Sequence, residues 1–334
     1  MQVPGQPIAV IGAGSWGTAL ALQFARGRRE IRLWGRDPKQ LAAISADGAN
    51  NRYLPNVPFP DNLHVEADLA TCLDGVRDIV IAVPSHGLRE TLIKVQPLLD
   101  SLARICWATK GFELSTGKLP HQVAGEILGD DRAMAVLSGP TFANEVGAGL
   151  PTAMTIAASD SEFAGDLAAA LSGDNFRAYT SGDMIGVEVG GAVKNVLAIG
   201  AGLSDGLGFG ANTRVALINR GLVEMTRLGV ALGAKQDTFM GLAGMGDLVL
   251  TCTDNYSRNR RMGLALASGK TIEEAQQEIQ QVVEGVLAAK AVKQVADRLS
   301  VEMPICQEIY RILYEGVPPR EAVSALMGRA LKPE

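Results

Sequence analysis

The sequence predicts an α/β fold: a doubly wound sheet in the first part of the chain, followed by an all-helical C-terminal domain. Three observations predict it. Across the first 180 of 334 residues, short β-rich runs alternate with helical patterns, the signature of strands joined by helical crossovers. Several of those runs are almost continuously apolar, as parallel strands covered on both faces must be. After Ser181 the strand-like runs stop, and helical periodicity continues to the end.

The expected strands are Ile8–Ile11, Ile31–Trp34, Asp78–Val83, Arg104–Ala108 and Ala133–Leu137, with Thr152–Ala158 and Phe176–Thr180 as two further members. Leu88–Leu99 reads as an intervening helix. Helical periodicity then covers 183–203, 212–232, 258–268, 284–299 and 303–314. The boundary falls near residue 180, separating 1–180 from 181–334, with no Pro/Ser-rich linker. Firm packing of the two parts is therefore expected, with a site in the cleft against the carboxyl ends of the strands.

The net charge of −5 leaves no basic excess for a nucleic-acid backbone or an anionic membrane surface. A local cluster of Lys and Arg can still bind one small phosphate. Residues 1–25 lack a positive n-region, and Pro4, Gly5, Pro7 and a glycine turn interrupt the apolar run, which argues against a signal peptide or a span. Cys72, Cys106, Cys252 and Cys306 are scattered with no CxxC, so neither zinc nor a disulfide framework is expected, and dispersed thiols suit a reducing cytoplasm. His64, His86 and His121 are likewise too dispersed to suggest a metal site.

The most informative local feature is IAVIGAGSWGTALALQFA at 8–25, an apolar strand entering Gly12-Ala13-Gly14-Ser15-Trp16-Gly17 and then a helix. Gly12 permits the turn, Gly14 lets a pyrophosphate approach the backbone, and Gly17 lets helix and strand pack closely, so the region reads as a Rossmann-like dinucleotide site. The bland alternative is a glycine-rich turn without a ligand. An acidic side chain at the end of the second strand would bind a ribose 2′-OH; here Arg36 stands there, followed by Asp37-Pro38. Asp37 reads as an N-cap with proline at N1. Arg36 is then the candidate reader of the ribose and favours NADPH, with NADH left open.

Lys194 lies in Gly190-Gly191-Ala192-Val193-Lys194-Asn195, in a helix otherwise lined by apolar residues. Two helical glycines, each costing about 1 kcal/mol relative to Ala, leave room beside the ammonium for a ligand or for another backbone. Lys110-Gly111 and Ser138-Gly139-Pro140-Thr141, with Ala143 in the turn beyond, end two strands where ligands bind in such folds. Ser257-Arg258-Asn259 opens a helix with a hydroxyl, a guanidinium and an amide, chemistry suited to a phosphate monoester. Asp247 heads another helix, as an N-cap or as a substrate contact. Arg260 and Arg261 read as a solvated face.

Together these pieces resemble the bacterial type of the NAD(P)-dependent glycerol-3-phosphate dehydrogenase family over nearly the whole chain. The residues that carry the resemblance are GAGSWGTALA at 12–21, NRYLP at 51–55, VPSH at 83–86, ATKGFE at 108–113 and SGPTFANEV at 138–146. Beyond them come EVGGAVKNVLAIGAGLSDGLGFG at 188–210 and GMGDLVLTCTDNYSRNRRMG at 244–263. Thr141 stands where many members have Ser, which keeps the hydroxyl.

The resemblance implies a cytoplasmic oxidoreductase that interconverts dihydroxyacetone phosphate and sn-glycerol 3-phosphate with NADPH or NADH and no metal, feeding glycerophospholipid synthesis. It also implies a homodimer. It makes Lys194 the acid/base lysine and Lys110 a lysine touching both cofactor and substrate. Gly139, Thr141, Asp247, Ser257, Arg258 and Asn259 match substrate contacts; Ser15, Trp16, Arg36, Tyr53, Ala143, Arg258, Val282 and Glu284 match cofactor contacts. A free lysine titrates near ~10.4; burial and neighbouring cations would lower that value, whereas a bound phosphate and Asp247 would oppose the change. Two other readings compete: a related two-domain reductase of the ketopantoate reductase type, and a dinucleotide sensor without catalysis. Ser257-Arg258-Asn259 disfavours the first, and the presence of both lysines the second.

Overall fold

The structure, a computed structural model, describes residues 6–330; Pro4 and Gly5, used above against a signal peptide, lie outside the described residues. It divides into two compact units, one comprising the chain to Lys110 plus Pro120–Val187, the other Gly111–Leu119 plus the chain from Glu188.

The first unit is an eight-stranded sheet: β1 Ile8–Ile11, β2 Ile31–Trp34, β3 Leu63–Val65, β4 Asp78–Ile81, β5 Arg104–Trp107, β6 Met134–Ser138, β7 Thr152–Ala158 and β8 Phe176–Ser181. The spatial order is β3-β2-β1-β4-β5-β6-β7-β8. β1, β4, β5 and β6 are buried at every position, which is why they read as almost continuously apolar runs. β3 escaped the sequence reading. It is three residues long with His64 between Leu63 and Val65, too short to carry a pattern, and is defined by its parallel register with β2.

The sheet is parallel from β3 through β6, then reverses: β7 runs antiparallel to β6, and β8 parallel to β7. The cause is the connection after β6. Its helix, Ala143–Ala148, has 6 residues and spans only about 9 Å, too little to carry the chain back to the other end of the sheet. On the opposite edge, toward the strand starts, Arg104 is buried with two guanidinium nitrogens donating to Asp78, at 2.7 and 2.9 Å, and the third to Asp166 at 2.6 Å. A buried guanidinium needs such pairing.

The second unit is helical. Helix Met184–Gly206, which belongs to this unit from Glu188 onward, is followed by Ala211–Ala231, Asp247–Thr253, Arg258–Ala267, Ile272–Ile279, Glu284–Leu299, Pro304–Tyr314 and Pro319–Met327. Ile272–Ile279 carries a capping box between Thr271 and Glu274, which satisfies two backbone donors at the helix start. Met184–Gly206 is long and apolar enough to cross a membrane by composition, yet 89% of its most apolar window is buried inside the protein. The loop Gly111–Leu119 joins this unit because Arg298 donates to the carbonyls of Thr116 and Gly117 at 3.2 and 3.3 Å. Gly117, at φ +68°, lies so close that a Cβ there would touch Val295.

The expectation of a solvated Arg260 is corrected. Its side chain is buried, donating to Asp205 at 2.6 Å and to Asn255. The polar string around Arg260 looks like a surface in sequence; only the end of helix Met184–Gly206 supplies the carboxylate that lets the charge be buried.

A second buried ionisable group lies at the start of helix Pro304–Tyr314. Glu224 accepts the backbone N–H groups of Ile305 and Cys306 at 2.7 and 3.1 Å. Burial outweighs those donors and pushes its carboxyl from 4.5 up to about 7. Its folded value therefore exceeds its unfolded value, and the group stabilises the fold fully below pH 4.5 and loses that contribution as pH rises through 7. Glu224→Gln cannot ionise, so urea unfolding should show the parent losing up to ~3 kcal/mol relative to the variant between pH 4.5 and 7.5. A difference between parent and variant that stays constant with pH would exclude ionisation at this site.

Candidate active site

In the first unit the candidate site begins where β1 meets the glycine turn. Gly12 has φ +124°, and a Cβ there would come within 2.5 Å of the Ala82 carbonyl oxygen, so only glycine fits. A Cβ at Gly17 would fall 1.8 Å from the Gly12 oxygen, which records how closely helix Ser15–Arg26 packs on the turn. Beside Gly14 there is nothing within 4 Å of the Cβ position. The helix opens on Gly14 with no side chain capping it. Open space, first-turn N–H groups without a side-chain cap and the helix dipole together form a cradle that fits a dinucleotide pyrophosphate.

Two amides hold that turn and were not singled out in the sequence. Asn50, fully buried, donates to the Ala13 carbonyl at 3.0 Å and to Thr18 Oγ1 at 2.8 Å, while Gln40 donates to the same carbonyl at 2.6 Å. A single Asn or Gln carries no pattern, so neither was recognisable before the chain was folded. Asp37 caps helix Pro38–Asp47 through Lys39 N at 3.0 Å and Gln40 N at 3.4 Å. With Asp37 committed to the cap, Arg36 is the exposed charge at the end of β2. Tyr53 is half-buried beneath the guanidinium of Arg52, which lies 5.0 Å from its ring.

The other predicted residues of this unit gather at strand ends. Lys110 is half-buried just beyond β5, after Thr109, whose hydroxyl donates to the Val83 carbonyl at 2.7 Å. Gly139 follows β6 and is buried; a Cβ there would lie 2.8 Å from Met154 Cα. Thr141 donates to the Gly139 carbonyl at 3.2 Å, and Ala143 is the first residue of its helix.

In the second unit, Lys194 and Asp247 form a buried pair. Lys194 Nζ donates to Asp247 Oδ1 and, at 3.1 Å, to Thr251 Oγ1; the Thr251 hydroxyl donates to the Asp247 carbonyl at 2.6 Å. Lys194 is 7% exposed and Asp247 1%, so the ammonium is held inside the unit instead of reaching solvent. Asp247 is the first residue of its helix and accepts the ammonium. Thr251 sits one turn later, on the same face. Gly190 has the packing role: its Cβ would lie 2.4 Å from the Ala243 carbonyl oxygen, in the π-helical turn Leu242–Gly246 that leads into Asp247.

The next residues link this pair to the Ser257-Arg258-Asn259 turn. Asn259 donates to Asn195 Oδ1 at 2.9 Å and accepts the Gly285 N–H at 2.9 Å. It thereby joins the helix of Lys194 to the first turn of Glu284–Leu299. Ser257 is the N-cap of helix Arg258–Ala267, accepting from Arg260 N at 3.2 Å. Arg258, half-buried, is the first helical residue. Glu284 is the half-buried first residue of Glu284–Leu299, and Val282 is exposed before it. Thr251 and Asn195 were missed as site members, since the hydroxyl and amide acquire meaning only through their buried partners.

Comparison with known proteins follows the same division. The family model "NAD-dependent glycerol-3-phosphate dehydrogenase N-terminus" matches residues 7–164, and the corresponding C-terminus model matches 183–324. A relative from Klebsiella pneumoniae named glycerol-3-phosphate dehydrogenase [NAD(P)+] is 58% identical over 98% of this chain and 97% of its own. The crystal structure of a glycerol-3-phosphate dehydrogenase from Coxiella burnetii superposes with a TM-score of 0.94 at 50% identity, covering 97% of this chain and 99% of that one. One from Saccharomyces cerevisiae does so at 0.84 and 26% identity, covering 96% and 99%. The glycine cradle, the helical unit with its buried lysine and these full-length matches converge: the chain belongs to the NAD-dependent glycerol-3-phosphate dehydrogenase family.

Proposed function

We propose that this oxidoreductase reversibly reduces dihydroxyacetone phosphate to sn-glycerol 3-phosphate, with Lys194 as the proton donor and Arg258 as the main phosphate ligand. The observation that carries the reading is the buried Lys194–Asp247–Thr251 cluster, the arrangement a positioned general acid requires. A bound NAD(P)H supplies the hydride to C2 of the ketone.

The chain's own residues do the rest. Asp247 and Thr251 accept hydrogen bonds from the Lys194 ammonium and fix its rotamer, and the ammonium so held donates to the substrate carbonyl. As negative charge develops on that oxygen, an N–H bond of Lys194 breaks and the O–H bond of the alcohol forms; the neutral amine regains its proton from solvent. Asp247 stabilises the ammonium before transfer and keeps the buried charge compensated. Lys110 adds a second positive charge toward the same oxygen. Gly139 and Thr141 line the substrate, and Ser257, Arg258 and Asn259 hold its phosphate, the guanidinium by charge-assisted hydrogen bonds. Of Asn259, one amide hydrogen is committed to Asn195, and the other remains for an anion.

For the cofactor, Gly12, Gly14, Ser15, Trp16 and Gly17 bind the pyrophosphate, and Tyr53, Lys110, Ala143, Arg258, Val282 and Glu284 complete its contacts. Arg36 binds a ribose 2′-phosphate, so NADPH is the preferred form. The product supplies glycerophospholipid synthesis in the cytoplasm, and the enzyme acts as a homodimer.

Lys194→Met should lower kcat by about 10³-fold while the NADPH dissociation constant, followed by nicotinamide fluorescence, stays within about twofold. Because that change strands a buried carboxylate, Lys194→Met/Asp247→Asn is measured beside it. Equal losses in turnover and cofactor binding in both variants would reject Lys194 as the proton donor. Arg258→Ala should raise the KM for dihydroxyacetone phosphate by about 10- to 100-fold, the worth of a hydrogen bond to a charged group; an unchanged KM would remove the phosphate role. Arg36→Ala should reduce the NADPH-to-NADH ratio of kcat/KM by about tenfold, and an unaltered ratio would mean that another group reads the ribose.

A further inference from the structure

Asp205, at the end of helix Met184–Gly206, joins three elements through one carboxylate. Both of its oxygens accept Arg214 Nη1 at 2.9 Å, from the first turn of helix Ala211–Ala231. Asp205 Oδ2 also accepts Arg260 Nη2 at 2.6 Å, from the first turn of helix Arg258–Ala267. The side chains of Asp205 and Arg260 are only 11% and 10% exposed. The other end of the Arg260 guanidinium donates to Asn255, in the turn that precedes Ser257. Within that turn Asp254 accepts Tyr256 N at 2.7 Å, and Ser257 caps the helix. Arg260 therefore clamps the loop from one side while Asp205 fixes Arg260 from the other.

The backbone permits no slack beneath this clamp. A Cβ at Gly202 would fall 2.0 Å from the Arg260 carbonyl oxygen, and one at Gly263 would fall 2.1 Å from the Ile199 carbonyl oxygen. The helix carrying Arg258 thus sits directly on the helix carrying Lys194. What close packing leaves undetermined is the turn at 254–257, and that is the part the ion network holds. The three ionised side chains Asp205, Arg214 and Arg260 together carry one net positive charge, a favourable setting for an anion at the adjoining helix start.

We propose that Asp205 is a positioning residue for substrate phosphate, acting through Arg260 and Asn255 to set the Ser257-Arg258-Asn259 turn. This rests on the reading of that turn as the phosphate contact. It assigns Arg260 a buried structural charge and leaves Arg258 as the ligand.

The test compares steady-state kinetics of Asp205→Asn, Asn255→Ala and Arg258→Ala in the full-length protein, varying dihydroxyacetone phosphate and NADPH separately. Asp205→Asn should raise the KM for the triose phosphate about tenfold, with kcat and the KM for NADPH within about threefold of the parent. Asn255→Ala, an exposed position whose loss does not threaten folding, should raise the same KM about threefold. A fall in kcat with unchanged KM, the result of a smaller folded fraction, would overturn the proposal. So would an unchanged KM in Asn255→Ala if Asp205→Asn does not fold. Arg258→Ala separates the two levels. If it raises KM while the other two variants do not, the positioning role alone fails; if it leaves KM unchanged, the phosphate turn itself is misassigned and both readings fall.

Discussion

Helix Met184–Gly206 is buried almost along its length, and its neighbours approach it backbone to backbone. At Gly190 the carbonyl of Ala243 occupies the space of a side chain, and at Gly202 the carbonyl of Arg260 does so. Such contacts allow no sliding, because a shift of less than one residue would drive a carbonyl into a Cβ. The helix therefore acts as the reference to which the π-helical turn before Asp247 and the helix of Arg258 are both registered. Glycine in a helix is unfavourable in isolation; here dense packing on three sides compensates for it.

That constraint explains how a lysine ammonium can be buried. Moving a charge out of water is costly unless its partners are already in place. Gly190 brings the turn at 242–246 close enough for Asp247 to reach Lys194, and Thr251 completes the cluster one helical turn later. The partners are held by backbone packing rather than by flexible loops, so the cluster is preorganised. The same logic extends outward through Asn259, whose amide joins Asn195 to the Gly285 N–H, and through Asp205 and Arg260 to the turn beyond. These buried polar side chains are linked to one another by direct contacts, as buried polar groups generally are.

The sheet unit solves a different problem. An anion must meet backbone N–H groups, so side chains have to be absent where it lands and turn geometry has to be fixed beneath it. Gly14 provides the absence, while Gly12, Gly17 and the buried amide of Asn50 provide the fixity. The reversal at β7 follows from the short helix after β6, which holds Gly139, Thr141 and Ala143 near the strand ends instead of carrying the chain away.

Much of this was legible in the sequence. Largely apolar runs located β1, β4, β5 and β6 because burial on both faces leaves a near-continuous imprint, and the glycine spacing marked the dinucleotide turn because its geometry excludes side chains. Asp37-Pro38 declared a helix start through local chemistry alone. The sequence by itself determined the residues whose requirements are local: turns, caps and strand runs. Tertiary structure decided what depends on partners distant along the chain. It buried Arg260 against Asp205, bound Lys194 to Asp247 and Thr251, placed Asn50 under the glycine turn and turned β7 around. A charged or amide side chain reads alike whether solvated or buried, and only the fold supplies the opposing atom that makes burial affordable.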